Sequence, residues 1–148
     1  MTVDDSPPDA ARAQQAAAAM YDEDRASQAL GIVIEAVSPG RATARMRVTG
    51  SMVNGHAIAH GGYIFLLADT AFAFACNTYG ATVAASAEIV FVEPARDGDD
   101  LIAEAAERVR FGRSGVYDVT VRRAGGAVVA EFRGHSRKLR TREQQDGA

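Results

Sequence analysis

Read for where apolar and polar positions recur, the chain changes period three times. Residues 11–30, which include AQQAAAAMYDEDRASQAL, are dominated by strong helix formers and predict one helix stopped by Gly31. Residues 32–37 and 42–48 then show β-branched runs and alternation around Ser38-Pro39-Gly40, which predicts a hairpin. Residues 49–59 read as a loop. Residues 63–79 are apolar on nearly every side, the pattern of a helix buried all round rather than one with a single apolar stripe. Gly80 ends that helix, and four more strands are predicted over residues 83–92, 101–111, 115–123 and 127–138. Between them lie Pro94-Ala95-Arg96-Asp97-Gly98-Asp99, Gly112-Arg113-Ser114 and Gly125-Gly126, each with turn chemistry. Six strands with one long helix between the second and third predict an α+β domain whose antiparallel sheet wraps the helix. Such a sheet has open edges, which gives a physical reason to expect at least a dimer.

Composition narrows the class. A length of 148 residues with 47% hydrophobic content fits one globular domain. Residues 1–12, with Pro7, Pro8 and three Asp, are expected to be a disordered tail; residues 13–140 form the domain, and residues 141–148 a C-terminal tail. The central helix is too short, and too interrupted by Asp69, Thr70 and Asn77, for a membrane span. The N-terminus carries acids where a signal peptide carries bases, so the expected location is cytoplasmic. A single cysteine, Cys76, excludes an internal disulfide and reads as packing rather than nucleophile. His56, His60 and His135 have no Cys or carboxylate at ligand spacing, so no metal is expected. The net charge of −3 gives no reason to expect nucleic acid. Residues 101–140 nevertheless carry nine Arg or Lys against four acids, suited either to a small polyanion such as a nucleotide phosphate or simply to solvated strand faces.

The chemistry concentrates in NGHAIAHGGYIFLLADTAFAFACNTYG, residues 54–80. Asp69 falls about two turns inside the predicted helix, beyond the reach of capping or the helix dipole. A buried, unpaired carboxylate costs several kcal/mol or becomes neutral. It is either a catalytic base or nucleophile facing a cleft, or an acid bonded to a backbone group or an Arg. His60-Gly61-Gly62 stands just before the helix, where first-turn N–H groups are free to bind a developing oxyanion. Together these groups suit acyl transfer to water.

The runs AHGGYIFLLADTAFAFACNTYG, VAASAEIVFVEPARDGDDLIAEA, GRSGVYDVTV and AEFRGHSRK resemble the hotdog-fold acyl-CoA thioesterases of phenylacetic acid degradation, over about residues 25–140. HGG with an acid nine residues after the His is that family's signature. The resemblance implies a hotdog fold and hydrolysis of phenylacetyl-CoA or its ring-hydroxylated forms without metal or cofactor. It also implies a homodimer that pairs into a homotetramer. Carried over residue by residue, Asp69 matches the catalytic acid and Gly61 the glycine whose N–H polarises the thioester carbonyl. Asn54 matches a polar position that places the attacking water or the carbonyl, and His60 the signature His, here expected to orient the glycine turn. Gly62 adjoins the bound thioester. Where the related hydroxybenzoyl-CoA branch has an assisting Thr four residues after the acid, this chain has Ala73.

For the CoA nucleotide, the resemblance points to Arg110, Gly112, Arg113 and Ser114 by their turn, with Arg137 and Lys138 as further phosphate contacts. For an acyl ring, Tyr63, Phe65, Phe72 and Phe74 offer aromatic surface, although aromatics on a central helix are more often core. Asp69 could attack the carbonyl to give a mixed anhydride, or take a proton from an attacking water; Asn54, as a second polar group to hold that water, favours the second route. The alternative function is a non-catalytic hotdog module that binds acyl-CoA. A hydratase of the same fold would carry a GDxNP-like string, which is absent.

Overall fold

Period-two alternation does form strands here, and in four of the six it decides which face meets the helix. In this computed structural model, which describes residues 9–147, the order is α1 (Ala10–Glu23), α2 (Arg25–Ala29), β1 (Val33–Ser38), β2 (Arg41–Arg47), α3 (Gly61–Cys76), β3 (Thr82–Phe91), β4 (Asp100–Phe111), β5 (Ser114–Arg123), β6 (Val128–Lys138) and α4 (Arg142–Asp146). All strands pair antiparallel in one sheet with the order β1-β2-β4-β5-β6-β3. Along β5, Gly115, Tyr117, Val119 and Val121 are buried while the residues between them face outward. On β6, Phe132, Gly134 and Ser136 alternate with exposed Glu131, Arg133 and His135.

The sheet wraps α3, as the hotdog fold expected from the sequence requires. The core is the inner faces of β2, β4, β5 and β6 closed on Ile64, Leu67, Ala68, Ala71, Phe72 and Ala75 of the helix. Phe72 packs against Tyr117 and Phe132, with ring centroids 5.6 and 5.8 Å away. That approach needs Gly134, because a Cβ there would stand 2.8 Å from the Phe72 ring. Burial of such rings, each removing on the order of 150–250 Å² from water, dominates the stability of the helix–sheet contact.

The structure departs from the sequence expectations in three places. The single N-terminal helix is two helices broken at Asp24, whose carboxylate accepts from the Ser27 N–H and so caps α2. Helix α1 starts at Ala10 with Asp9 as its N-cap, inside the span assigned to a disordered tail; residues 1–8 of that tail lie outside the described residues. The third departure positions the site: α3 is not buried all round. Leu66, Asp69 and Ala73, spaced as one helical stripe, keep partial exposure.

Nor are the two sheet edges alike. β1 has α1 packed along it, whereas β3 pairs only with β6 and leaves Val83, Val90 and Phe91 exposed. Among the described residues no helix is long and apolar enough to cross a membrane.

Candidate active site

His60 is the N-cap of α3. Its backbone is extended (φ −61°, ψ 131°), and its Nδ1 accepts the Gly62 N–H at 2.9 Å. The His60 carbonyl takes the Tyr63 N–H, and the His60 N–H is held by Met52 O at 2.8 Å. The ring nitrogen nearest the helix is thus engaged in capping, which is the orienting role expected of it. Gly61, the first helical residue, keeps its N–H without a partner among the described residues. A free N–H at the positive end of a helix is a donor waiting for an oxyanion.

That N–H borders an open groove of about 470 Å³ lined by Asn54, Ile58, Ala59, Gly61, Ile64, Phe91, Val92, Glu93 and Pro94. Asn54 and Gly61, both assigned to the site from the sequence, line this groove together. Asn54 sits in a tight loop in which its Oδ1 accepts the His56 N–H at 2.9 Å and its carbonyl the Ala57 N–H. Ala57 has φ 58° in that turn. The side-chain oxygen of Asn54 is therefore occupied, which leaves the amide NH₂ as its free group.

Asp69 is half-buried and takes no hydrogen bond or ion pair among the described residues. Desolvation by burial raises its pKa above the ordinary carboxylate value. An acid held by a backbone group or an Arg, the other reading open from sequence, is not what is found. Its neighbour Thr70 turns inward and lies 3.3 Å from Ser27 Oγ. Ser27 gives its one proton to Asp24 Oδ2 at 2.6 Å, so Thr70 is the donor in that contact. Cys76 is buried, and desolvation pushes its thiol up to about 12, so it is no nucleophile at neutral pH.

Asp69 and the groove do not meet within one chain. Eight residues of helix separate Asp69 from Gly61, about 12 Å, and the Gly61 N–H points away from Asp69 past the helix start, so a bound carbonyl oxygen lies about 15 Å from the acid. A water-bridged carboxylate reaches only about 6 Å.

The residues assigned to the CoA nucleotide divide. Arg110, Gly112, Arg113, Ser114 and Lys138 gather with Tyr79 around a small polar pocket of about 30 Å³ at the far end of α3. Two of the cations have partners already: the Arg110 guanidinium lies 3.6 Å over the Tyr79 ring and 3.3 Å from Glu107 Oε1, and Arg113 Nη1 donates to Lys138 O. Tyr79 donates to Glu107 Oε2 at 2.7 Å, and burial raises its pKa. Arg137 does not join them. It pairs in register with Ser114 but is exposed between the buried Ser136 and the partly buried Lys138.

Of the helix aromatics, Phe72 and Phe74 are core, and Phe65 packs on Phe132 at 5.4 Å. The aromatic in the groove is Phe91, which the sequence reading missed because its contact with Gly61 joins residues thirty positions apart. Its weak signal was a large apolar residue at the end of a strand, just before Pro94.

Comparison with known proteins identifies the family and the fold. The Thioesterase superfamily matches residues 56–130, which contain both Gly61 and Asp69. The chain is 45% identical to the acyl-coenzyme A thioesterase PaaI of Escherichia coli K12 over 129 residues, covering 86% of this chain and 92% of that one. The solved structure of the E. coli PaaI protein from the phenylacetic acid degradation operon superposes with a TM-score of 0.86 at 43% identity, over 88% of this chain and 96% of that one. A mutant of the phenylacetic acid degradation protein PaaI of Thermus thermophilus gives 0.76 at 35% identity, over 78% and 100%. Fold, signature and sequence agree, and the chain belongs to the thioesterase superfamily.

Proposed function

We propose that this protein hydrolyses acyl-CoA thioesters, with phenylacetyl-CoA or hydroxyphenylacetyl-CoA as substrates, in a site built from two copies of the chain. The observation that carries the proposal is the separation of the two reactive groups. A free helix-terminal N–H and an unpartnered, desolvated carboxylate stand on one helix too far apart to act on one carbonyl. A second copy resolves this. Antiparallel self-pairing of the unpaired β3 edge continues the sheet across a two-fold axis and sets the two α3 helices antiparallel, so that Gly61 of one copy approaches Asp69 of the other. The half-exposed stripe of Leu66, Asp69 and Ala73 is then the face that meets the partner. Two such dimers pair into the tetramer that the resemblance implies.

In that site the Gly61 N–H and the α3 terminus stabilise the charge developing on the carbonyl oxygen by about 3 kcal/mol. Asp69, its pKa raised, takes a proton from water held by the Asn54 NH₂, and the water attacks the carbonyl carbon. The tetrahedral intermediate then expels the CoA thiolate and leaves the free acid. Groups near Arg113, Ser114 and Lys138 receive the nucleotide end, and the CoA pool on which such an enzyme draws makes its place the cytoplasm.

The test is thiol release from a panel of acyl-CoA esters, with particle mass followed by light scattering at the assay concentration. Turnover of aryl-acetyl esters by a dimer or tetramer is expected. Binding without thiol release supports the non-catalytic module instead, and an active monomer overturns the two-chain site.

A further inference from the structure

We infer that Phe91 is the wall of the groove that selects the acyl group, and that its ring is the reason residue 61 is glycine; the inference deepens the proposed thioesterase reading and rests on it. The backbone of Gly61 does not lie in the left-handed region, so its conformation is open to any residue. What excludes a side chain is contact. A Cβ on residue 61 would stand 2.8 Å from Phe91 Cζ and 3.2 and 3.4 Å from its two Cε atoms, so the tip of the ring fills the place of a side chain. Within one chain the rest of the ring is open toward the groove, for Phe91 is 52% exposed at the end of β3 and lines that groove. Its fellow lining residues Ile58, Ala59, Ile64, Val92 and Pro94 are aliphatic, so Phe91 is the aromatic surface this groove presents.

The consequence follows from reach. A carbonyl oxygen accepting the Gly61 N–H lies about 3 Å from that nitrogen, so the first carbons of the acyl group emerge beside the Phe91 ring. An aryl group one or two carbons from the carbonyl then has its centroid within the roughly 4.5–7 Å at which aromatic pairs attract, whereas a straight alkyl group gains only the contact area. The ligand class is an acyl-CoA with an aryl ring one or two carbons beyond the carbonyl, favoured about tenfold through Phe91 over a straight-chain acyl of similar size.

The experiment uses two non-hydrolysable CoA thioethers that keep a ketone carbonyl for the Gly61 N–H, 2-oxo-3-phenylpropyl-CoA and 2-oxooctyl-CoA, titrated calorimetrically into the intact oligomer. In Phe91→Leu, and in Phe91→Met as a second ringless variant, the phenyl-over-alkyl affinity ratio is expected to fall about tenfold, while Phe91→Tyr keeps it. Gly61→Ala should weaken both ligands, and adding Phe91→Ala to it should restore the affinity for the alkyl ketone, because the clash is then gone. An unchanged ratio in the ringless variants, or a double variant no better than Gly61→Ala alone, overturns the inference. Thiol release from CoA esters is measured alongside on the same proteins. Absence of turnover with the affinity pattern intact sinks the thioesterase reading and upholds the role of Phe91; turnover with an unchanged ratio does the reverse.

Discussion

Two aspartates of this chain occupy opposite faces of the same architecture and have opposite surroundings. Asp118 stands on the outer face of β5, gripped by Arg133 at 2.7 and 2.9 Å and by Arg108 at 3.4 Å. The Arg133 hydrogen bonds hold its carboxyl below the ordinary range. Asp69 sits on α3 with no partner among the described residues, and desolvation moves its carboxyl the other way. Both are partly exposed acids in regular secondary structure, and the fold treats one as a surface charge to be neutralised. It leaves the other uncompensated, at a cost in stability that folding alone would not retain. The difference teaches where to look for function: a carboxylate kept in an unfavourable protonation environment with no compensating partner is a candidate reactive group, and the proposed second chain would bring the oxyanion donor to it.

The largest effect expected from breaking this contrast is at Asp69 itself. Asp69→Asn keeps the shape but removes the base, so kcat should fall about a thousandfold while affinity for a CoA thioether survives. Thiol release and calorimetry check the two halves, and a loss of only a few fold would show that another group performs the chemistry. Asn54→Ala should cost less, roughly ten- to a hundredfold in kcat/KM, since in the proposed site Asn54 only positions the water that Asp69 activates.

The pH dependences have opposite signs. The folded-state pKa of Asp69 is raised, so its contribution to stability is complete below the unfolded carboxylate range and is lost as pH rises through the folded value. Asp69→Asn should therefore raise Tm at neutral pH, and the gain should shrink on acidification. The acid limb of kcat/KM for the unaltered enzyme should lie above the ordinary Asp range, because the carboxylate is the active form; a limb at or below that range would contradict the raised pKa. Asp118 behaves in reverse. Its folded pKa is lowered, so its stabilisation is present above the unfolded value and lost as pH falls through the folded one. Asp118→Asn should lower Tm by at most a few degrees at neutral pH, less in high salt, and leave kcat untouched.

The legible parts of the sequence were those where one local rule sufficed. Strand bounds came within two residues because alternation and the Gly, Pro and Asp of the turns agree, as in Gly125-Gly126 between β5 and β6. The break at Asp24 was not legible as such, because an Asp inside an AQQAAAA…RASQAL run looks like a polar helix position until its carboxylate is seen capping Ser27. Gly61 and Gly62 were placed before the helix rather than in it, since glycine disfavours helix and only the His60 cap holds them there. The open stripe around Asp69 could not be read because periodicity reports which positions are apolar, not what stands opposite them. Phe91 and the dispersal of Arg137 from the nucleotide cluster are likewise tertiary facts, set by pairings between residues distant in the chain.

The central claim is that each site takes its oxyanion donor from one copy and its carboxylate from the other, and subunit mixing tests it most directly. Gly61→Pro deletes the N–H at a helix position that accepts proline, and the extended backbone of His60 tolerates a proline after it. Phe91→Ala is made in the same chain, so that the proline ring has room where the Phe91 ring stood. Asp69→Asn, in the other chain, deletes the base. Each variant alone should be nearly inactive. Unfolded together and refolded as an equimolar mixture, half of the dimers pair one chain of each kind. Every such dimer regains one intact site, with Gly61 and Phe91 from one chain and Asp69 from the other, so activity should return to about a quarter of the unaltered enzyme. A mixture that exchanges subunits and stays as inactive as its parents would mean that both groups serve one site within a single chain, contrary to this account.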